Sequence, residues 1–121
     1  MRSIDPDRVG QILSNLIENA IRYTPAEGVV SVGVESLPDA VEITVGDTGA
    51  GIEPEDLPHI FDRFYVARKY RGIRPEGSGL GLSIVERLAT SMGGSVSAVS
   101  RVGLGTEFLA VLPAPQVTPS S

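Results

Sequence analysis

Asn15-Leu16-Ile17-Glu18-Asn19-Ala20 lies inside a repeat of apolar residues at Val9, Ile12, Leu13, Leu16, Ile17, Ala20 and Ile21. Steps of three and four predict an amphipathic helix with one face in a core. Asp5 followed by Pro6 supplies an N-cap and a proline in the first helical position. Thr24-Pro25-Ala26-Glu27-Gly28 ends the helix, because a residue before proline avoids the α region and glycine allows the turn. At ~100° per residue, Asn15, Asn19, Arg22 and Tyr23 fall along one edge of the apolar stripe. That edge borders both the core and a cleft.

Outward from this helix the period changes. Val29 to Glu35 and Ala40 to Gly46 alternate apolar and polar residues around Leu37-Pro38-Asp39, which predicts a β-hairpin with one wet face. The hairpin runs into Asp47-Thr48-Gly49-Ala50-Gly51. Pro54 to Phe61 reads as a short helix or turn. Residues 65–79 keep no steady period and read as a lid. Helical spacing returns from Leu80 to Met92 and stops at Gly93-Gly94. Ser95 to Ser100 and Thr106 to Leu112 alternate as strands around a turn at Gly103 to Gly105. The Pro- and Ser-rich tail, 114–121, reads as disordered.

The chain has 121 residues, enough for one domain, which we place at residues 1–113. A hydrophobic fraction of 41% and a charged fraction of 21% are those of a globular protein. No apolar run approaches the roughly 18 residues of a membrane span. The first residues have no secretory-signal pattern. Cysteine is absent, which excludes disulfides, thiolate nucleophiles and Cys-based zinc sites and fits a reducing compartment. A net charge of -5 argues against general affinity for nucleic acid.

Three segments carry chemistry. Two amides one turn apart suit a hydrated Mg²⁺, a hard cation held largely by substrate phosphates; Asn19 is the stronger ligand candidate and Asn15 its support. Arg22 is placed to meet phosphate and Tyr23 to lie against a base or ribose. The plainer alternative is that the two amides cap polar groups of the core. Asp47 can accept from an exocyclic amine, favouring adenine over guanine, while Gly49 and Gly51 let backbone approach a ring. Asp-Thr-Gly also occurs as an ordinary turn. Gly77-Ser78-Gly79-Leu80-Gly81-Leu82 opens a helix, so free amides and the positive end of the helix dipole face phosphate oxygens. It is neither a P-loop nor a dinucleotide fingerprint, since no Gly-Lys-Ser/Thr follows and no strand precedes. Arg63, Arg68, Lys69, Arg71 and Arg74 gather five of the ten basic residues beside this segment. One or two of them are candidates to clamp a triphosphate. Phe61 and Phe64 read as apolar anchors, and His59 as a surface or packing residue.

In this order the segments resemble the catalytic and ATP-binding domain of sensor histidine kinases, in the GHKL superfamily with gyrase B and the ninety-kilodalton heat-shock chaperone. Asn15 to Pro25 is similar to the N box, Asp47 to Ile52 to the G1 box, and Ile60 to Tyr65 to the F box. Gly77 to Leu82 is similar to the G2 box and Gly105 to Phe108 to the last glycine motif. The resemblance spans residues 5 to 113 and implies the Bergerat fold. That fold is an α+β two-layer sandwich whose mixed, mostly antiparallel sheet is covered on one face by about three helices. It further implies that Asn19 binds Mg²⁺ with Asn15 nearby, Arg22 meets phosphate, Tyr23 contacts adenine and Asp47 accepts from its amine. Gly77 to Leu82 would wrap the phosphates, and Thr106 would join the base-side hydrogen bonds, with Gly49, Gly51 and Ile52 forming the loop beneath.

Val66 stands where the family often has an arginine, which passes the phosphate clamp to Arg63, Arg68 or Lys69. ATP-hydrolysing relatives have a general-base Glu where this chain has Asn15, so transfer is favoured over hydrolysis. The implied activity is γ-phosphoryl transfer from Mg-ATP to a histidine on a dimerisation domain outside this chain, then relay to a response regulator. The alternatives are an ATP-dependent binding module and a serine kinase of the anti-sigma type. The isolated domain is expected to be monomeric and cytoplasmic, without affinity for nucleic acid or insertion into a membrane.

Overall fold

A computed structural model describes residues 5–62 and 81–113. The expected lid, with Arg63, Arg68, Lys69 and Gly77 to Leu80, and the tail 114–121 lie outside the described residues.

Helix α1 runs from Pro6–Tyr23. Asp5 caps it, its side chain accepting from the Asp7 amide at 2.9 Å and the Arg8 amide at 3.4 Å. These are two of the donors that a helix start leaves without intrahelical partners. At the other end Thr24 turns to extended backbone ahead of Pro25, and its hydroxyl donates to the Ala20 carbonyl at 2.5 Å. Strands β1 (Val30–Ser36) and β2 (Ala40–Asp47) form the expected hairpin. A 3-10 turn at Leu57–His59 follows. Helix α2 covers Gly81–Ser91 and is closed by the Gly93 and Gly94 amides, which donate to the Thr90 and Ala89 carbonyls at 2.9 and 2.8 Å. Strands β3 (Ser95–Arg101) and β4 (Gly105–Pro113) complete the sheet.

The strand order is β1-β2-β4-β3, and every pairing among the described residues is antiparallel. The fold is the expected α+β sandwich. Among the described residues the sheet has four strands, all antiparallel rather than mixed, and two α-helices rather than about three cover it. The register explains the core. Ile43 and Val45 of β2 stand opposite Ala110 and Phe108 of β4, all four inaccessible to solvent, and Ala98 and Val96 of β3 extend the same face. Ile12, Leu16 and Ala20 of α1 and Val85 and Ala89 of α2 close over them. Phe61 meets Phe108 edge to face, with ring centroids 6.2 Å apart. The alternate residues Glu42, Thr44 and Glu107 lie on the opposite face, as the period of two requires.

Two features position the site. Arg8, near the start of α1, donates to Ser91 at the end of α2 (3.3 Å), so the N-terminus of one helix meets the C-terminus of the other. With ~1.5 Å of rise per residue, Gly81 lies ~15 Å back from Ser91, toward the C-terminal half of α1 on which α2 packs. The second feature is an edge. Helix α1 packs more on β2 than on β1, so Val32 and Val34, which share the core-facing alternation, remain 47% and 61% exposed.

Candidate functional site

One end of the sheet gathers the end of β2 at Asp47, the start of β4 at Thr106 and the end of β3 at Ser100. Asp47 and Thr106 are directly opposed across the β2–β4 ladder, and Thr106 is opposed to Ser100 across β4–β3. By alternation with Val45, Phe108 and Ala98, all three side chains belong to the helix-facing side. Opposed side chains on one face sit within ~5 Å of each other at Cβ. Thr106 is 8% exposed and Asp47 is half-buried.

The loop after Asp47 is held by the protein itself. Asp47 Oδ1 accepts from the Gly49 amide at 2.8 Å, an Asx turn, and this is the only bond of the Asp47 side chain among the described residues. The Thr48 amide donates to the Val29 carbonyl, and the Gly103 amide donates to the Ala50 carbonyl at 2.7 Å. The Ile52 amide donates to Ser100 Oγ at 2.6 Å. Gly51 has φ of +81°, a backbone that side chains rarely adopt. A Cβ at Gly49 would lie 2.5 Å from the Tyr23 carbonyl oxygen. Glycine is therefore required at Gly49 because the loop is pressed against the end of α1. The same contact puts the amide-bearing helix and the Asp47 loop at one end of the molecule.

Helix α1 carries Asn15, Asn19, Arg22 and Tyr23 as partly buried residues. Arg8 shares their strip at ~100° per residue, and its contact with Ser91 shows that the strip faces α2. Asn15 Nδ2 is buried and has no hydrogen-bond partner among the described residues. Arg22, Tyr23, Thr24 and Pro25 line a cleft of about 490 Å³ with Thr48, Gly49 and Ala50. Gly81 is the first described residue of α2, and a Cβ there would meet no described atom within 4 Å. Leu82 packs against the core. A second cavity, of about 410 Å³, is lined by Ser31, Gly46, Val99 and Glu107, which alternate onto the opposite face of the sheet, and also by Arg101, Leu104, Asp47 and Thr106.

Of the sequence-identified residues, Arg22, Tyr23 and Gly49 share the first cleft, Asp47 and Thr106 share the second, and Gly51 and Ile52 meet the end of β3, while Asn15, Asn19, Gly81 and Leu82 stand on the two helices that pack together. Ser100 was not foreseen, although a hydroxyl on the face that also carries Val96 and Ala98 is the signal that marks it. Buried Asp56, 2% exposed beneath the 3-10 turn, left no comparable signal. His59 is exposed and faces Asp62 at 3.2 Å.

Among the described residues no three of His, Cys, Asp and Glu converge on a metal. The donor set present fits a different arrangement, a neutral amide oxygen supplementing phosphate oxygens. The buried Asn15 Nδ2 on the same strip, unpartnered among the described residues, is a donor and suits an acceptor such as a phosphate oxygen. No described helix is long and apolar enough to cross a membrane.

The family model described as histidine kinase-, DNA gyrase B- and HSP90-like ATPase matches residues 4–116. The sensor histidine kinase CusS of Escherichia coli O6:H1 is 42% identical over 110 residues, covering 91% of this chain and 23% of CusS. The chain thus spans less than a quarter of that relative. Among solved structures, the mycobacterial sensor histidine kinase MprB superposes with a TM-score of 0.80 at 29% identity, covering 94% of this chain and 77% of that one. Full-length ShkA, solved in complex with AMPPNP, gives 0.76 at 34% identity over 94% of this chain and 23% of that one. The chain belongs to the histidine kinase-, DNA gyrase B- and HSP90-like ATPase family, in its branch of sensor histidine kinase catalytic domains.

Proposed function

We propose that residues 1–113 bind Mg-ATP and present its γ-phosphoryl group to a histidine on a dimerisation domain outside this chain, for relay to a response regulator. The observation that carries this reading is the seating of the Asp47 loop against the end of α1, which unites a base-reading carboxylate with the amide strip. Membership among sensor kinase domains and the AMPPNP held by ShkA support it.

Each residue then has a task. Asp47 Oδ2 and the Thr106 hydroxyl meet the amine edge of adenine, and Tyr23 lies against the base. The amides at the start of α2, from Gly81, meet phosphate oxygens with the favourable end of the helix dipole. Arg22 meets phosphate as well, and one of Arg63, Arg68 and Lys69 completes the clamp. Asn19, supported by Asn15, would hold Mg²⁺, which when bound neutralises charge on the phosphates. No side chain needs to form a bond with phosphorus, since phosphoryl transfer depends mainly on position and charge. The acceptor imidazole nitrogen forms the new P–N bond while the γ-phosphorus to oxygen bond of ADP breaks. Reliance on ATP places the domain on the cytoplasmic side of a parent kinase.

The test is incubation with Mg-ATP labelled on the γ-phosphate and a cognate histidine-bearing helical domain. Acid-labile, base-stable label on that domain is the expected result. Acid-stable label would identify a serine-directed kinase instead. A change of partner affinity with ATP and no label at all would identify a binding module.

A further inference from the structure

Ser100 sits at a junction whose donors and acceptors can be counted. Its hydroxyl has one proton and two lone pairs. Among the described residues three groups surround it: the Ile52 amide at 2.6 Å, the Gly105 carbonyl at 3.1 Å and the Thr106 hydroxyl at 2.8 Å. The amide can only donate, so it takes one lone pair. The carbonyl can only accept, so it takes the proton. What remains on Ser100 is a lone pair, and the Thr106 hydroxyl must donate to it. The reverse arrangement, with the Ser100 proton on Thr106, forfeits the bond to Gly105 inside a region where Thr106 is 8% exposed. With its only proton committed, Thr106 has lone pairs alone to offer a ligand.

We infer that Ser100 is a positioning residue that fixes the Thr106 hydroxyl as an acceptor, so that Asp47 and Thr106 together present an all-acceptor edge selecting a 6-aminopurine. The inference rests on the nucleotide reading above. The two residues are directly opposed on neighbouring strands, and Asp47 Oδ1 is already occupied by the Gly49 amide. An exocyclic amine brings two protons to two acceptors. A 6-oxo purine brings lone pairs to lone pairs, and a site built for one hydrogen-bond pattern rejects the opposite one strongly because its buried groups are left unpaired. Without Ser100 the Thr106 proton is released, and Thr106 can turn and donate to a 6-oxo group.

The test uses the 121-residue chain and equilibrium binding, with Mg²⁺, of ATP, inosine triphosphate and purine riboside triphosphate, which lacks any 6-substituent. Ser100→Ala should lower the ATP to inosine triphosphate preference roughly tenfold, about the worth of one hydrogen bond. Ser100→Thr should preserve the preference, and in Ser100→Ala purine riboside triphosphate should move far less than inosine triphosphate. On a Thr106→Val background, Ser100→Ala should change the preference no further. Should Ser100→Ala not fold, Ser100→Cys, with a weak donor and acceptor, carries the same comparison. Equal weakening of all three nucleotides, or an unchanged preference, would overturn the inference while leaving nucleotide binding intact. Wild-type chain that binds ATP and inosine triphosphate alike would overturn the base reading itself, and this inference with it.

Discussion

Asp47→Asn separates a structural carboxylate from a base-reading one. The amide oxygen of asparagine can keep the bond to the Gly49 amide that Oδ1 now makes at 2.8 Å, since Asx turns accept either residue. The loop and the fold should therefore survive, with the nucleotide-free melting midpoint within about 2 °C of wild type. The second position changes from a lone-pair donor to an NH₂, which faces the adenine amine donor to donor. Losing a charge-assisted hydrogen bond of about 2.5 kcal/mol weakens ATP roughly 70-fold. At an ATP concentration of ~100 times the wild-type dissociation constant, the ligand adds ~2.7 kcal/mol to wild type and ~0.5 kcal/mol to the variant. At ~4 °C per kcal/mol for a chain of this size, the shift falls from ~11 °C to ~2 °C. Inosine triphosphate should shift the variant at least as much as ATP does. Differential scanning fluorimetry with both nucleotides reads the whole set. An undiminished ATP shift in a well-folded variant would refute the base-reading role. A nucleotide-free midpoint that drops by ~8 °C or more would show that the carboxylate is structural.

Other sites give independent checks. Asn15→Leu removes a buried amide nitrogen that is unpartnered among the described residues, a group that costs about 1–3 kcal/mol, so the nucleotide-free midpoint should rise by several degrees while the ATP-induced shift shrinks. A lower nucleotide-free midpoint would mean the amide is satisfied inside the protein. Asn19→Ala should leave the fold nearly unchanged and reduce the Mg-ATP shift to the size seen with ATP in excess chelator, as calorimetric titration with and without Mg²⁺ would show. Phe108→Ala empties the centre of the core, where the ring is fully buried and touches Phe61. It should cost ~3–5 kcal/mol in urea unfolding with little change in slope, and a loss under 1 kcal/mol would contradict the packing described.

What the sequence made readable was local. The cap at Asp5 and Pro6, the apolar steps of α1, the two alternating runs of the first hairpin and the glycine stop at Gly93-Gly94 each act within a few residues, and each appears in the structure. The pairing of the second edge of β2 with β4 rather than with β3, the next strand in sequence, was not readable, since alternation says which face a residue takes and not which strand it meets. The site shows the same division. Asp47 and the amides of α1 were recognisable from their residue types, because carboxylates and amides advertise their chemistry. The reason for Gly49, the Tyr23 carbonyl beside it, and the role of Ser100 arise from contacts across long stretches of chain. Asp56 illustrates the limit, as an acidic residue in a turn gives no sign that it will be buried.

The bond between the Ile52 amide and Ser100, and that between Gly103 and Ala50, have a consequence in time. The floor beneath the proposed base site is assembled from two segments about fifty residues apart. Asp47 leaves the ribosome well before its opposite number, Thr106, and at ~5–20 residues per second the interval is several seconds. During that interval the loop after Asp47 lacks its anchor, and the first hairpin has only its own pairing and the cover of α1 to order it, without the neighbouring strand that completes the core. Competence to hold a nucleotide is therefore acquired late and all at once, when the last strand docks. Any truncation that removes β4 should abolish it outright rather than by degrees.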